Sequence, residues 1–277
     1  MLKKIAALSA CALFCTAALA GCGSGSHSIP SSAPEESGAD PIPSSALEEG
    51  GADPLSVENQ LSLLVSQKSL WGHLDEDYSD SLSYAVTDLD HNGRLEVISA
   101  SVSGTGLYTT AKFYEVNSTG DALEACTYNI TEYESGADLS FSDTLPCYYD
   151  ADGDTYYYIF TDIIRNGAAE HFNSLTAISL KNGAVTSQTL GAQQTTYSDE
   201  QSEPTVIYRQ SDGSEISEEE FNTVADNAFS GAEKKQAAIG WFSADRDDDN
   251  MPCSAETMDD DDLLAQLQSS WNGFSVQ

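Results

Sequence analysis

The sequence predicts an α+β, mainly β fold: an antiparallel β-meander with one N-terminal helix and two C-terminal helices. Three observations predict it. Apolar and polar residues alternate in short runs between Ser81 and Gln210, the period of a half-buried strand. Asn92-Gly93, Asp152-Gly153 and Asn182-Gly183 fall between such runs, where a tight hairpin turn needs positive φ. Apolar residues at helical spacing mark both ends of the same region.

The elements follow in chain order. Lys3 and Lys4 give a basic start, and Ile5 to Ala20 is apolar or small. That stretch suits a secretory signal and is short for a span of ~20 residues. An ordinary signal peptide or a single membrane helix would explain the apolar run alone. The run ends in Leu19-Ala20-Gly21-Cys22, followed by Gly23-Ser24-Gly25-Ser26. This ending resembles the lipobox of bacterial lipoproteins, whose cysteine receives a diacylglycerol thioether and becomes the first mature residue. The resemblance implies a signal peptide at 1–21, lipidation at Cys22, and anchoring to the bilayer on the extracellular face of the cell membrane.

Residues 22–55 read as a disordered acidic tether. Ile29 to Pro41 and Ile42 to Pro54 are near-identical 13-residue units that differ only at Pro34/Leu47 and Ser37/Gly50. Pro, Gly, Ser and like charge keep such a segment extended. Its span as a coil is ~30 Å.

Residues 56–277 read as one β-rich domain. Ser56 is the expected N-cap of a helix carrying Val57, Leu61 and Leu64, ending before Trp71-Gly72. Strands are expected at Leu82–Val86, Leu95–Ala100, Ala111–Val116, Thr155–Thr161, Leu175–Leu180, Val185–Leu190 and Thr205–Tyr208. Ser217-Glu218-Glu219-Glu220 is a capping box. It opens a helix through Phe221, Val224, Ala228 and Phe229, stopped at Gly231. A last helix runs from about Asp260 to Trp271 with Leu263, Leu264, Leu267 and Trp271 on one face. The acids at Asp259 to Asp262 complement its N-terminal dipole.

The formal charge is −34, from 11 basic and 45 acidic residues. This excludes a nucleic-acid partner, which needs a cationic footprint. An acidic surface keeps a protein dispersed and suits a medium rich in divalent cations. Of six cysteines, Cys126, Cys147 and Cys253 remain for the folded part. A disulfide between Cys126 and Cys147 would close a short loop in an exported protein; the alternative is buried free thiols.

One motif carries chemistry. Asp88-Leu89-Asp90-His91-Asn92-Gly93-Arg94-Leu95-Glu96 places side-chain oxygens at positions 1, 3, 5 and 9, with glycine at 6. Oxygen donors at that spacing wrap a hard cation. Asp88, Asp90, Asn92 and Glu96 offer side chains, and Arg94 offers its backbone carbonyl. The expected ion is Ca²⁺, in a structural role. A plain Asn-Gly hairpin would explain the turn without requiring the three acids.

The motif begins like an EF-hand loop, but Ser99 stands where that loop needs its closing glutamate, and the flanks read as strands. Over about Ala85 to Ile98 it resembles the calcium hairpin of FG-GAP repeats, as in integrin α-chains. Glu96 replaces that family's usual aspartate. Asp150-Ala151-Asp152-Gly153-Asp154 has its glycine at position 4 and reads as a turn. More broadly, Tyr84-Ala85-x-x-Asp88-x-Asp90-x-Asn92-Gly93-x-x-Glu96, with the tether and terminal helices, resembles surface lipoproteins of Gram-positive anaerobes. That similarity gives context and implies no mechanism.

Other candidates are weaker. Gly104-Thr105-Gly106-Leu107-Tyr108 is a glycine turn. Tyr156-Tyr157-Tyr158 offers rings for sugars, although a strand turns at least one inward. His73, His91 and His171 have no partner at metal or triad spacing. Three functional classes remain. The leading one is a non-enzymatic, calcium-binding surface protein that binds or adheres to an envelope or extracellular glycan or protein. The second is a glycan-acting enzyme, which needs two facing acids in an aromatic-walled cleft. The third, a solute-binding lipoprotein, needs two α/β lobes that the pattern does not offer.

Overall fold

Ser56 caps the first helix, its hydroxyl accepting from the Asn59 amide. The computed structural model describes residues 53–73, 79–103, 108–129, 139–166, 169–198, 203–244 and 253–277. All of them fall in the unit Gly50–Gln277. The expected signal at 1–21, Cys22, nearly all of the expected tether and most of the expected Gly104–Tyr108 turn lie outside them. Among the described residues no helix is long and apolar enough to cross a membrane.

The chain runs α1 (Val57–Ser66), α2 (Lys68–Trp71), β1 (Ser79–Thr87), β2 (Glu96–Ser103), β3 (Tyr108–Val116), β4 (Leu123–Ala125) and β5 (Thr127–Tyr128). It continues through β6 (Thr144–Asp150), β7 (Thr155–Asn166), β8 (Glu170–Lys181), β9 (Ala184–Thr196), β10 (Thr205–Gln210) and β11 (Glu215–Ile216). It closes with α3 (Glu218–Asn222), α4 (Val224–Ala228), β12 (Glu233–Ala238), α5 (Asp260–Gly273) and β13 (Ser275–Val276). The fold is α+β and mainly β, with antiparallel sheets as expected.

The strands form two sheets rather than one meander. The first has the order β1-β2-β3-β4. The second has the order β11-β10-β9-β8-β7-β6-β12-β13, and β5 joins it as a parallel partner of β9. Each contains a meander, since β1 to β4 and β6 to β11 are neighbours in chain order and pair antiparallel. The Asn182-Gly183 turn between β8 and β9 has φ of 52° and 72°, the doubly positive form that Asn-Gly favours. At the β6–β7 turn the positive φ falls on Asp154, at 45°, and not on Gly153.

Four layers result. Ala85, Ile98 and Phe113 of the first sheet meet Cys147, Tyr158, Phe160 and Ile178 of the second in a central core. The other face of the first sheet, with Tyr84, Val86 and Val97, packs on Leu61, Leu64 and Trp71 and on Leu263 and Leu267 of α5. The other face of the second sheet, with Tyr148, Ile159 and Leu190, packs on Val224 and Phe229. The alternation in β1 therefore separates two buried faces. Ser83, Ala85 and Thr87 are as buried as Leu82, Tyr84 and Val86, so alternation here did not mean half-exposure.

Two polar ties fasten the helical layer. The Tyr84 hydroxyl donates to Gly72 O at 3.1 Å and accepts from Ala255 N at 3.1 Å. The Ser270 hydroxyl accepts from Val86 N at 2.8 Å and donates to Gly240 O. Gly240 must be glycine, since a Cβ there would sit 2.6 Å from Ser270 O.

Several local expectations are corrected. The first helix breaks at Gln67, φ −110°, and Trp71 belongs to α2 rather than following the helix. The capping box at Ser217 and Glu220 is present, but its helix breaks at Thr223. The Thr223 hydroxyl donates to Glu219 O and Glu220 O, which competes with continued helix. Strand β12 between the C-terminal helices was not anticipated. Glu233-Lys234-Lys235-Gln236 shows no strand alternation and is extended because it pairs along β6. The Cys126–Cys147 disulfide is not formed. Both residues are buried free thiols in the central core, and Cys253 is also free. A buried thiol packs there as a small apolar group.

Candidate metal centre

Residues 88–95 connect β1 to β2, and Thr87 pairs with Glu96 at the base of the hairpin. Two leucines hold the loop. Leu89 enters the core between the sheets, and Leu95 enters the core under the helices. The turn is made by His91 at φ 55° and Gly93 at φ 81°. Nothing lies within 4 Å of a Cβ built on Gly93. Backbone conformation, not space, therefore requires glycine there.

Pinning the leucines drives the acids together. One oxygen each from Asp88, Asp90 and Glu96 lies within 4.8 Å of the others. Glu96 is 0% exposed. Its Oε2 accepts from the Thr87 hydroxyl at 2.9 Å and the Leu89 amide at 2.8 Å. Its Oε1 is buried without a partner, and so is Asp88 Oδ1. The other Asp88 oxygen accepts from the Gly93 amide at 3.2 Å. Asp90 accepts from the Asn92 amide and side chain.

The electrostatics follow from that burial. Loss of solvent pushes Asp88 up to about 6, and the neighbouring Asp90 charge adds to the rise. Burial holds Glu96 well above the usual carboxylate range, again reinforced by Asp88 and Asp90. Glu115 is raised by burial despite its bonds to Asn92 and Arg94. Without a cation beside them, Asp88 and Glu96 resist ionisation.

Neighbouring elements brace the loop. Gln60 on α1 is 0% exposed. Its Nε2 donates to Gly93 O at 2.9 Å and Leu55 O at 2.7 Å, and its Oε1 accepts from Leu95 N at 2.7 Å. Glu115 on β3 stands directly across from Glu96. It accepts from Asn92 Nδ2 at 2.8 Å and pairs with Arg94 at 2.6 Å. From the second sheet, the Tyr158 hydroxyl donates to Leu89 O at 2.9 Å and Asn182 N approaches Asp90 Oδ2 at 3.4 Å. The His91 ring lies 4.1 Å from that of Tyr156. The loop thus touches both sheets and the first helix.

Of the five expected ligands, the loop brings Asp88, Asp90 and Glu96 together. The Asn92 oxygen accepts from Arg94 N at 2.7 Å, so this side chain braces the turn. The Arg94 guanidinium turns away to Glu115 and Val116 O, leaving only its carbonyl for the role expected of it. The donor set is all oxygen, with two carboxylate oxygens lacking donors. Such a set fits a hard divalent cation, and ligands up to ~5 Å apart across the ion suit Ca²⁺. Sequence reasoning missed Gln60 and Glu115. A glutamate opposite a glutamate was a usable signal for Glu115, because like charges rarely face each other across strands.

The other candidates resolve simply. At the Asp150–Asp154 turn, Lys181 Nζ donates to Gly153 O and Asp154 O, so an ammonium already serves those carbonyls. Tyr158 is buried in the central core, Tyr157 packs on Phe229, and Tyr156 lies between Tyr149 and His91. Asp259 caps α5 through Asp261 N, and Asp260 pairs with Lys68.

No protein-family model, curated protein or solved structure matches this chain.

Proposed function

We propose that this chain is a lipid-anchored protein of the extracellular face of the cell membrane. Its folded part holds a calcium ion in the 88–96 loop and serves as a binding or adhesion module. One observation carries the ion reading: Asp88 Oδ1 and Glu96 Oε1 are buried without partners inside a cluster of three carboxylates. Native structures rarely leave such atoms unpaired. Asp88, Asp90 and Glu96 would hold the ion, and its charge would offset theirs. Its work is structural, because the loop joins the two sheets to α1. The anchor reading rests on Leu19-Ala20-Gly21-Cys22 and the tether behind it.

The alternative of a glycan-acting enzyme requires carboxyls that reach a substrate. Glu96 has no solvent contact, which favours holding an ion for this cluster.

Two measurements test the proposal. Calorimetric titration of the mature chain, carrying Cys22→Ser, should show Ca²⁺ binding that Asp88→Ala/Asp90→Ala abolishes and Mg²⁺ does not reproduce. Labelling of producing cells with a palmitate analogue should mark the full chain and not its Cys22→Ser variant. Absence of both signals sinks the reading.

A further inference from the structure

We infer that Gln60 is a positioning residue of the cation site, and that ion binding and the docking of α1 are coupled through its side-chain amide. The inference rests on the proposed ion site and goes beyond it by naming an element that the ion controls.

Gln60 lies outside the loop, on the helix that opens the folded part. It is 0% exposed, and its amide uses both ends on backbone. Nε2 takes the carbonyl of Gly93, and Oε1 takes the amide of Leu95. These two bonds bracket Arg94, the residue expected to offer a carbonyl to the ion. One planar amide therefore fixes the peptide groups on both sides of the Arg94 Cα, the second of which carries that carbonyl. A third bond, from Nε2 to Leu55 O, ties in the segment just before the helix. All three bonds go to backbone groups, so an apolar side chain of the same volume would leave Leu55 O, Gly93 O and Leu95 N without this partner.

The coupling runs both ways. A loop set by the ion presents Gly93 O and Leu95 N in the arrangement that Gln60 binds. A helix docked through Gln60 presents the loop in the arrangement that the ion binds. Linkage requires the two effects to be equal. The gripped element is the one next to the predicted tether. Asp53 O accepts from Ser56 N and from Asn59 Nδ2, so residues 53–55 move with α1. Calcium would thereby set how firmly the domain holds the end by which it is anchored.

The test uses the mature chain with Cys22→Ser and three variants of it. Gln60→Met keeps the volume and removes the three bonds. Leu64→Val is a packing control on the same helix, and Glu96→Gln removes a ligand. Calcium affinity is read by calorimetric titration, and amide exchange of residues 57–66 by mass spectrometry in calcium and in chelator. Gln60→Met should weaken calcium binding about tenfold or more, the usual cost of losing a group that orients ligands, while Leu64→Val leaves it within about twofold. In the parent chain, calcium should slow exchange in residues 57–66, and Glu96→Gln should remove that effect. If Gln60→Met does not fold, the exchange comparison on the parent chain still decides. Unchanged affinity in folded Gln60→Met, or equal exchange of α1 with and without calcium, overturns the coupling while leaving the ion site standing. No calcium binding by the parent chain overturns both.

Discussion

Replacing Glu96 by Gln should stabilise the protein in chelator and destabilise it in calcium, relative to the parent chain. In chelator the Glu96 carboxyl is buried beside Asp88 and Asp90, with Oε1 unpartnered. A glutamine keeps an oxygen for Thr87 and Leu89 and turns an amide N–H toward the cluster. Relieving one unsatisfied buried polar atom contributes ~1–3 kcal/mol. For a folded part of ~220 residues each kcal/mol moves Tm by ~2–4 °C, so the variant should melt ~2–12 °C higher in chelator. In calcium the parent gains about 2.7 kcal/mol when the ion is at about a hundred times its Kd. Glu96→Gln forfeits a carboxylate ligand and most of that gain. Scanning calorimetry of both proteins in chelator and in about 10 mM calcium, a concentration well above the Kd of most extracellular sites, should therefore show the order of the two Tm values reverse. A variant that melts below the parent under both conditions, or that keeps the full calcium response, refutes the reasoning.

Three further outcomes are expected. Asp88, raised to about 6, and Glu96, raised well above the usual range, bind protons more tightly in the metal-free fold than in the unfolded chain. Their contribution to stability is thus fully present below the unfolded pKa and is lost as pH rises through the folded one. The chelated parent should lose Tm relative to Glu96→Gln as pH rises from about 4, the unfolded carboxylate value, through the raised folded one, and a difference that stays flat with pH would contradict it. Tyr84→Phe leaves Ala255 N unpaired in a buried site, while Gly72 O keeps its bond from Glu256 N, and should cost ~1–3 kcal/mol in denaturant unfolding, with calcium affinity unchanged. Asp152→Asn at the turn served by Lys181 should leave the calcium stoichiometry of the parent intact; loss of an equivalent of bound ion would show that this turn also takes a cation.

The local features were legible in the sequence because their causes are local. Ser56 and Ser217 cap helices through hydroxyls that reach an amide three residues away. Asn182-Gly183 turns the chain because those residues tolerate positive φ. The loop at 88–96 could be read because a hairpin alone places Asp88, Asp90 and Glu96 near one point. The break in the helix after Ser217 is local too, since the Thr223 hydroxyl bonds the carbonyls three and four residues before it. The unread strand was decided at longer range. Strand β12 exists because β6 offered an open edge, and nothing in Glu233-Lys234-Lys235-Gln236 announces that partner.

The sequence by itself determined the fold class, the caps and turns, and an oxygen-rich loop at the hairpin between β1 and β2, since propensity, periodicity and spacing act within a few residues. Only the tertiary structure decided that the strands divide into two stacked sheets, each covered by helices. It alone set Gln60 and Glu115 against the loop from 33 and 23 residues away. It also closed water off from Glu96 and so left two carboxylate oxygens unanswered. Burial depends on where distant segments pack, and an unpaired charge becomes costly only once the solvent that would have paired with it is gone.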